Sequence, residues 1–105
     1  MSADPAWQDV ASLDDFAASD AIAVDVGTRQ IAIYFVDGTV FATDNRCTHG
    51  EARLCDGFLE GHEIECPHHQ GRFDIRTGAA TGVPAKTALA TYPAKLEGGR
   101  VLLQL

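Results

Sequence analysis

The chain is poor in basic residues. Eight Lys and Arg stand against 15 Asp and Glu, for a formal net charge of −7. Nucleic acid is therefore not an expected partner, because phosphate binding needs a basic patch. Long apolar runs are also missing; none approaches the roughly 18 residues that span a membrane. The N-terminus, Met1-Ser2-Ala3-Asp4-Pro5-Ala6-Trp7, has no basic region, apolar stretch or twin-Arg pair. The expectation is a cytoplasmic protein with no membrane association. Cysteine is scarce and odd in number: Cys47, Cys55 and Cys66. That count argues against a disulfide framework, and makes metal binding the better default for cysteines that sit near histidines.

What is present fits one globular unit. The 105 residues are 46% hydrophobic and 22% charged, with apolar residues spread along the length. The expectation is a single domain over residues 1–105. Strand-like patterns dominate. Ala21–Val26 is an apolar run ending at Gly27. Gln30–Val36 and Thr39–Thr43 flank Asp37-Gly38, a strong hairpin signal. Phe58–Leu59 and Glu63–Glu65 flank Glu60-Gly61-His62, a second hairpin. Arg72–Ile75 is a short strand and Thr77-Gly78 a turn. Tyr92–Leu96 and Val101–Leu105 flank Glu97-Gly98-Gly99-Arg100, a third hairpin. One short helical turn is expected from Ser12 through Ala18, capped by Ser12 with Asp14 and Asp15 in its first turn. Many short strands with regular turns predict an all-β sandwich or barrel.

Two segments carry chemistry: Cys47-Thr48-His49-Gly50 and Cys66-Pro67-His68-His69-Gln70-Gly71. Each offers one thiol and one imidazole at a spacing that fits a tight loop. Gly50 and Gly71 permit backbone near a ligand, and Pro67 stiffens the second loop. The hairpin between them brings the loops face to face. Soft thiolate with imidazole suits zinc or an iron–sulfur centre. A Cys2His2 zinc finger pairs its cysteines in one segment and its histidines in the other; here each segment holds one of each. Rieske centres place two Cys on one iron and two His on the other, and folding one loop over the other sorts Cys47, Cys66, His49 and His69 that way. His69 is favoured over His68 because it completes Cys-x2-His.

The double motif resembles the Rieske signature. The wider stretches, Ala42 through Glu51 and Gly71 through Gly78, with Thr91-Tyr92-Pro93-Ala94-Lys95-Leu96, are similar to the ferredoxins of bacterial aromatic-ring dioxygenases, such as the naphthalene, biphenyl and toluene systems. The resemblance implies a Rieske fold of stacked small antiparallel sheets. Its tip would be two cluster-binding loops, in a subdomain of about residues 44–78, with one [2Fe–2S] cluster held by Cys47, His49, Cys66 and His69. It also implies a monomeric one-electron carrier, not an enzyme, that takes electrons from a flavin-containing ferredoxin reductase and passes them to a terminal oxygenase. His68, Cys55 and Gly82-Val83-Pro84 depart from the family pattern, but none removes a ligand. High-potential Rieske proteins carry a second cysteine in each loop; Ala52 and His68 stand there instead. They also offer Ser and Tyr hydroxyls where this chain has Gly71 and Phe73. Fewer hydrogen bonds to the sulfurs predict a low potential, on the order of −150 mV.

The remaining candidates have plainer readings. His62 is expected to be an exposed turn residue, His68 an exposed tip residue, and Cys55 a half-buried small one. Glu60, Glu63 and Glu65 suggest a solvated face, and Trp7 packs in the first strand. Asp44, Glu51 and Asp56 are given no catalytic role. Rival functions are an oxygenase large-subunit domain, a nitrite reductase small subunit and a zinc-stabilised interaction domain. The first expects a downstream iron domain and His-Gly-Trp after the last ligand. The second commonly lacks the ligands.

Overall fold

A computed structural model describes residues 6–48, 52–67, 71–82 and 87–105. Among them, eleven short strands form three antiparallel sheets. The first sheet contains β1 (Gln8–Ser12), β10 (Ala94–Glu97) and β11 (Arg100–Leu103), in the order β1-β11-β10. The second contains β2 (Ala21–Val26), β3 (Arg29–Val36), β4 (Thr39–Asp44) and β9 (Thr91–Tyr92), in the order β2-β3-β4-β9. The third runs in sequence order: β5 (Phe58–Glu60), β6 (Glu63–Glu65), β7 (Arg72–Asp74) and β8 (Ala80–Gly82). The all-β expectation holds, and no helix among the described residues is long and apolar enough to cross a membrane.

β3 divides the interior. Ile31, Ala32, Ile33 and Tyr34 are all fully buried. Successive strand residues point to opposite faces, so an unbroken buried run needs cover on both. Ile31 and Ile33 enter a core with Ala11, Phe16, Val40, Ala42, Val101 and Leu103. Ala32 and Tyr34 enter the other, which contains Cys47, Cys66, Leu54, Ile64, Phe73, Ile75 and Leu89. The Tyr34 hydroxyl shares a 3.0 Å hydrogen bond with Thr43 Oγ1, which satisfies both polar ends in that core. Burial pushes the Tyr34 phenol well above its ordinary value.

The β3–β4 hairpin closes through Asp37 and Gly38, at φ of 51° and 80°. Positive φ at both central residues marks the type I′ family, whose twist matches that of the strands. The β5–β6 and β10–β11 hairpins also form where the turn residues predict them.

Three details differ from expectation. The run Tyr92–Leu96 is not one strand: β9 pairs with β4, whereas β10 pairs with β11. Pro93 sits at the break, where it has no N–H to donate, and its carbonyl accepts from Gln104 N–H at 3.1 Å. The helical segment is only a 3-10 turn over Leu13–Phe16. Its capping box joins Ser12 N–H to Asp15 Oδ2 and Asp14 N–H to Ser12 Oγ. The short strand β8 carried no recognisable pattern, since Ala80-Thr81-Gly82 has no large apolar residue.

Candidate cluster site

β4 delivers the chain to the first loop at a narrow neck. Asn45 C=O accepts from Leu54 N–H at 2.6 Å, Arg46 bridges to Arg53, and Cys47 N–H donates to Ala52 C=O at 2.9 Å. The neck of the second loop is built the same way. β6 ends at Glu65, Cys66 N–H donates to Gly71 C=O at 2.7 Å, and β7 begins at Arg72. In both loops a cysteine donates to the carbonyl five residues on. The two thiol-bearing residues are thus fixed by local backbone geometry.

Both cysteines are almost wholly buried, at 2% and 1% exposure, and they share one core. Neither they nor the half-buried Cys55 is joined in a disulfide. Ala52 stands where a loop-bridging cysteine would be and is itself buried. His49 and His69 lie outside the described residues, as does His68. Among the described residues no group of three or more metal-ligating side chains is gathered. Two buried thiols, each followed at two or three residues by an imidazole, form a donor set of the softness that an iron–sulfur centre needs.

The support for the loops was only partly visible in sequence. Thr48 Oγ1 donates to Thr87 C=O at 2.8 Å, Asp44 N–H to Ala90 C=O at 3.0 Å, and Leu89 N–H to Gly78 C=O at 2.8 Å. The segment from Thr87 to Ala90 therefore straps the first loop to the turn after β7. Gly78 has φ of 82°, and a Cβ there would lie 2.2 Å from the Leu89 carbonyl oxygen. Gly57 is equally constrained: its Cβ would lie 2.0 Å from the carbonyl oxygen of Glu65, next to Cys66. Both glycines are close-approach residues. Asn45, a buried polar residue, was also missed; its side-chain Oδ1 accepts from Cys55 N–H at 2.9 Å.

Other residues depart from or follow the sequence reading. His62 is half-buried, not exposed; its ring stands edge-on to Phe41 at 5.6 Å, and its carbonyl accepts from Ile75 N–H. The acidic hairpin face is solvated but not without cations. Arg72 reaches Glu60 at 3.0 Å and Glu63 at 3.4 Å. Asp44 accepts from the Tyr92 hydroxyl, whose value is raised chiefly by burial and then by that carboxylate. Trp7 precedes β1 and is 38% exposed, with the Lys95 ammonium 4.5 Å from its ring centre.

The Rieske [2Fe-2S] domain model matches residues 6–93. The chain belongs to the Rieske [2Fe–2S] domain family. As a Rieske protein it carries a [2Fe–2S] cluster, and relatives 48–54% identical to it are ferredoxin components of dioxygenase systems. It is 54% identical over 99 residues to the ferredoxin component of the naphthalene 1,2-dioxygenase/salicylate 5-hydroxylase systems of a Ralstonia species, covering 94% of this chain and 95% of that one. Among solved structures, it superposes on the ferredoxin of Sphingomonas yanoikuyae B1 with a TM-score of 0.87 and 40% identity, covering 95% and 99% of the two chains. A chain from a complex of reduced oxygenase and oxidized ferredoxin in carbazole 1,9a-dioxygenase matches with a TM-score of 0.84 and 33% identity, covering 93% and 92%. Coverage above nine-tenths of each chain agrees with a Rieske ferredoxin fold.

Proposed function

We propose that this Rieske ferredoxin is the electron-carrying component of an aromatic-ring-hydroxylating dioxygenase system. It accepts one electron at a time from a flavin-containing reductase and delivers it to a terminal oxygenase. The single observation that carries the reading is the matched pair of loop necks, each presenting one buried cysteine to a common core. On this proposal Cys47 and Cys66 hold one iron, and His49 and His69 the other. The cluster, when bound, supplies a one-electron couple.

The chain's own residues do the rest. The apolar shell of Leu54, Ile64, Phe73 and Ile75 keeps water from the thiol side. The Cys47 and Cys66 backbone bonds fix where the thiols sit, so little rearrangement accompanies electron transfer. Phe73 is fully buried and has no hydroxyl to donate, which favours a potential in the lower part of the Rieske range. The net charge of −7 supports steering toward a basic partner surface. The working form proposed is a cytoplasmic monomer in which residues 1–105 make one domain.

Absorption and EPR spectra before and after dithionite reduction test this reading. A red-brown protein whose reduced signal averages well below the free-electron g value is expected. A colourless, EPR-silent protein with one zinc per chain would overturn the electron-carrier reading and leave a structural clamp.

A further inference from the structure

Asn45 is the chain's single asparagine, it is 1% exposed, and it lies two residues before Cys47. Its polar groups are used one after another. Its backbone N–H donates to Gln30 C=O at 2.9 Å, at the start of β3. Its C=O takes the Leu54 N–H at 2.6 Å, and its Oδ1 takes the Cys55 N–H at 2.9 Å. One residue thereby joins β3, the neck of the first loop and the 3-10 turn Leu54–Asp56. Only Nδ2 is left: it is buried and has no hydrogen-bond partner among the described residues.

A buried amide N–H without an acceptor is costly, and native structures leave few such groups. A carboxamide is also an expensive way to hold one loop if only its oxygen is needed, since Asp or Ser accepts equally well at such a position. An acceptor that arrives with the loaded site would satisfy this donor. We infer that Asn45 is a positioning residue of the cluster site, whose Oδ1 fixes the first loop's neck and whose Nδ2 donates toward the ligand shell of the loaded cluster. The inference rests on the proposed cluster site. Donation toward the ligand shell stabilises the more negative, reduced state and so raises the potential.

Two measurements on the loaded protein test it. In Asn45→Ala the cluster still assembles, and at the wild-type midpoint the ratio of reduced to oxidised protein falls about tenfold, or about 59 mV for a one-electron couple. Asn45→Asp keeps the acceptor for Cys55 and loses the donor, and shifts the same way. A merely structural clamp would lower the melting temperature of Asn45→Ala while leaving midpoint and g values at the wild-type position, and that result would overturn the inference. The second measurement needs no variant. Asparagine labelled with 15N gives one side-chain NH2 signal, because Asn45 is the only asparagine. Its protons are expected to exchange slowly and to shift between oxidised and reduced protein. Fast exchange and a redox-independent position would count against the inference even if Asn45→Ala failed to fold. A protein that binds no iron at all would instead defeat the proposed function.

Discussion

The two sides of β3 are built by different means. On one side, Ile31 and Ile33 pack against Val40, Val101 and Leu103, between strands of four to eight residues. On the other, Ala32 and Tyr34 face the third sheet, whose four strands have three residues each. Strands that short supply few ladder hydrogen bonds, and isolated short hairpins are marginal in water. The cysteine side is held instead by loop necks, the Thr87–Ala90 strap and close backbone contacts at Gly57 and Gly78. The difference teaches that longer strands carry the scaffold side, while the cysteine-bearing side adds close backbone approach to its buried core and is expected to gain stability from its cofactor.

The largest test removes a thiol. Cys66→Ser is expected to abolish the [2Fe–2S] absorption. Hydrogen exchange should then show lost protection over β5–β8 and retained protection over β3, β4 and β11. Uniform loss across both halves would break the comparison. Truncating the other core is expected to do the reverse. Ile33→Ala should cost about 2–5 kcal/mol of stability yet leave absorption and EPR unchanged in the folded protein, as seen by denaturant titration of the holoprotein. A mid-sized effect is expected where backbones touch: Gly57→Ala must displace Glu65, beside Cys66. It should cost about 1–3 kcal/mol and slow cluster incorporation, measured as the rate of colour development during reconstitution.

The smallest effect sharpens the comparison through pH. Arg76 donates to both carboxylate oxygens of Asp74, at 3.1 Å and 3.0 Å, and those hydrogen bonds hold Asp74 below its usual value of 3.8. A carboxyl whose folded value is lowered binds fewer protons folded than unfolded. Its contribution is therefore present above 3.8 and lost as pH falls through the lowered folded value. Arg76 is exposed and Asp74 half-buried, so solvent screening through Arg76 keeps the contribution small. Arg76→Gln should lower the melting temperature slightly near neutrality and leave it unchanged below the lowered folded value, which flattens the acid side of the profile. A drop of equal size at both pH values would show that Arg76 acts by packing instead.

The sequence reading went furthest where local chemistry decides the outcome. Asp37-Gly38 and Gly98-Gly99 encode their turns in their own backbone preferences, and the Cys-x-His and Cys-x2-His spacings are explicit. It faltered where partners are distant in the chain. β9 owes its sheet to β4, 48 residues away at the Asp44–Tyr92 pair, and nothing in Thr91-Tyr92 announces that partner. The strap from Thr87 and the buried Asn45 are likewise defined by what they meet. Apolar content could not reveal β8, because its place depends on β7, not on its own side chains. The proposal of His49 and His69 as ligands rests on spacing, since both lie outside the described residues.

β1 pairs with β11 in a register that sets Gln8 opposite Leu103. The start of β1 and the end of β11 therefore lie side by side, in the sheet whose residues Ala11, Val101 and Leu103 pack away from the thiols. A short peptide joining Gln8 to Leu103 has little distance to cover, and the Gly98-Gly99 turn offers a place to reopen the chain. A chain permuted there would keep both cysteine-bearing loop necks intact, and a fusion made beside Gln8 or Leu103 would sit in the sheet that packs away from the thiols.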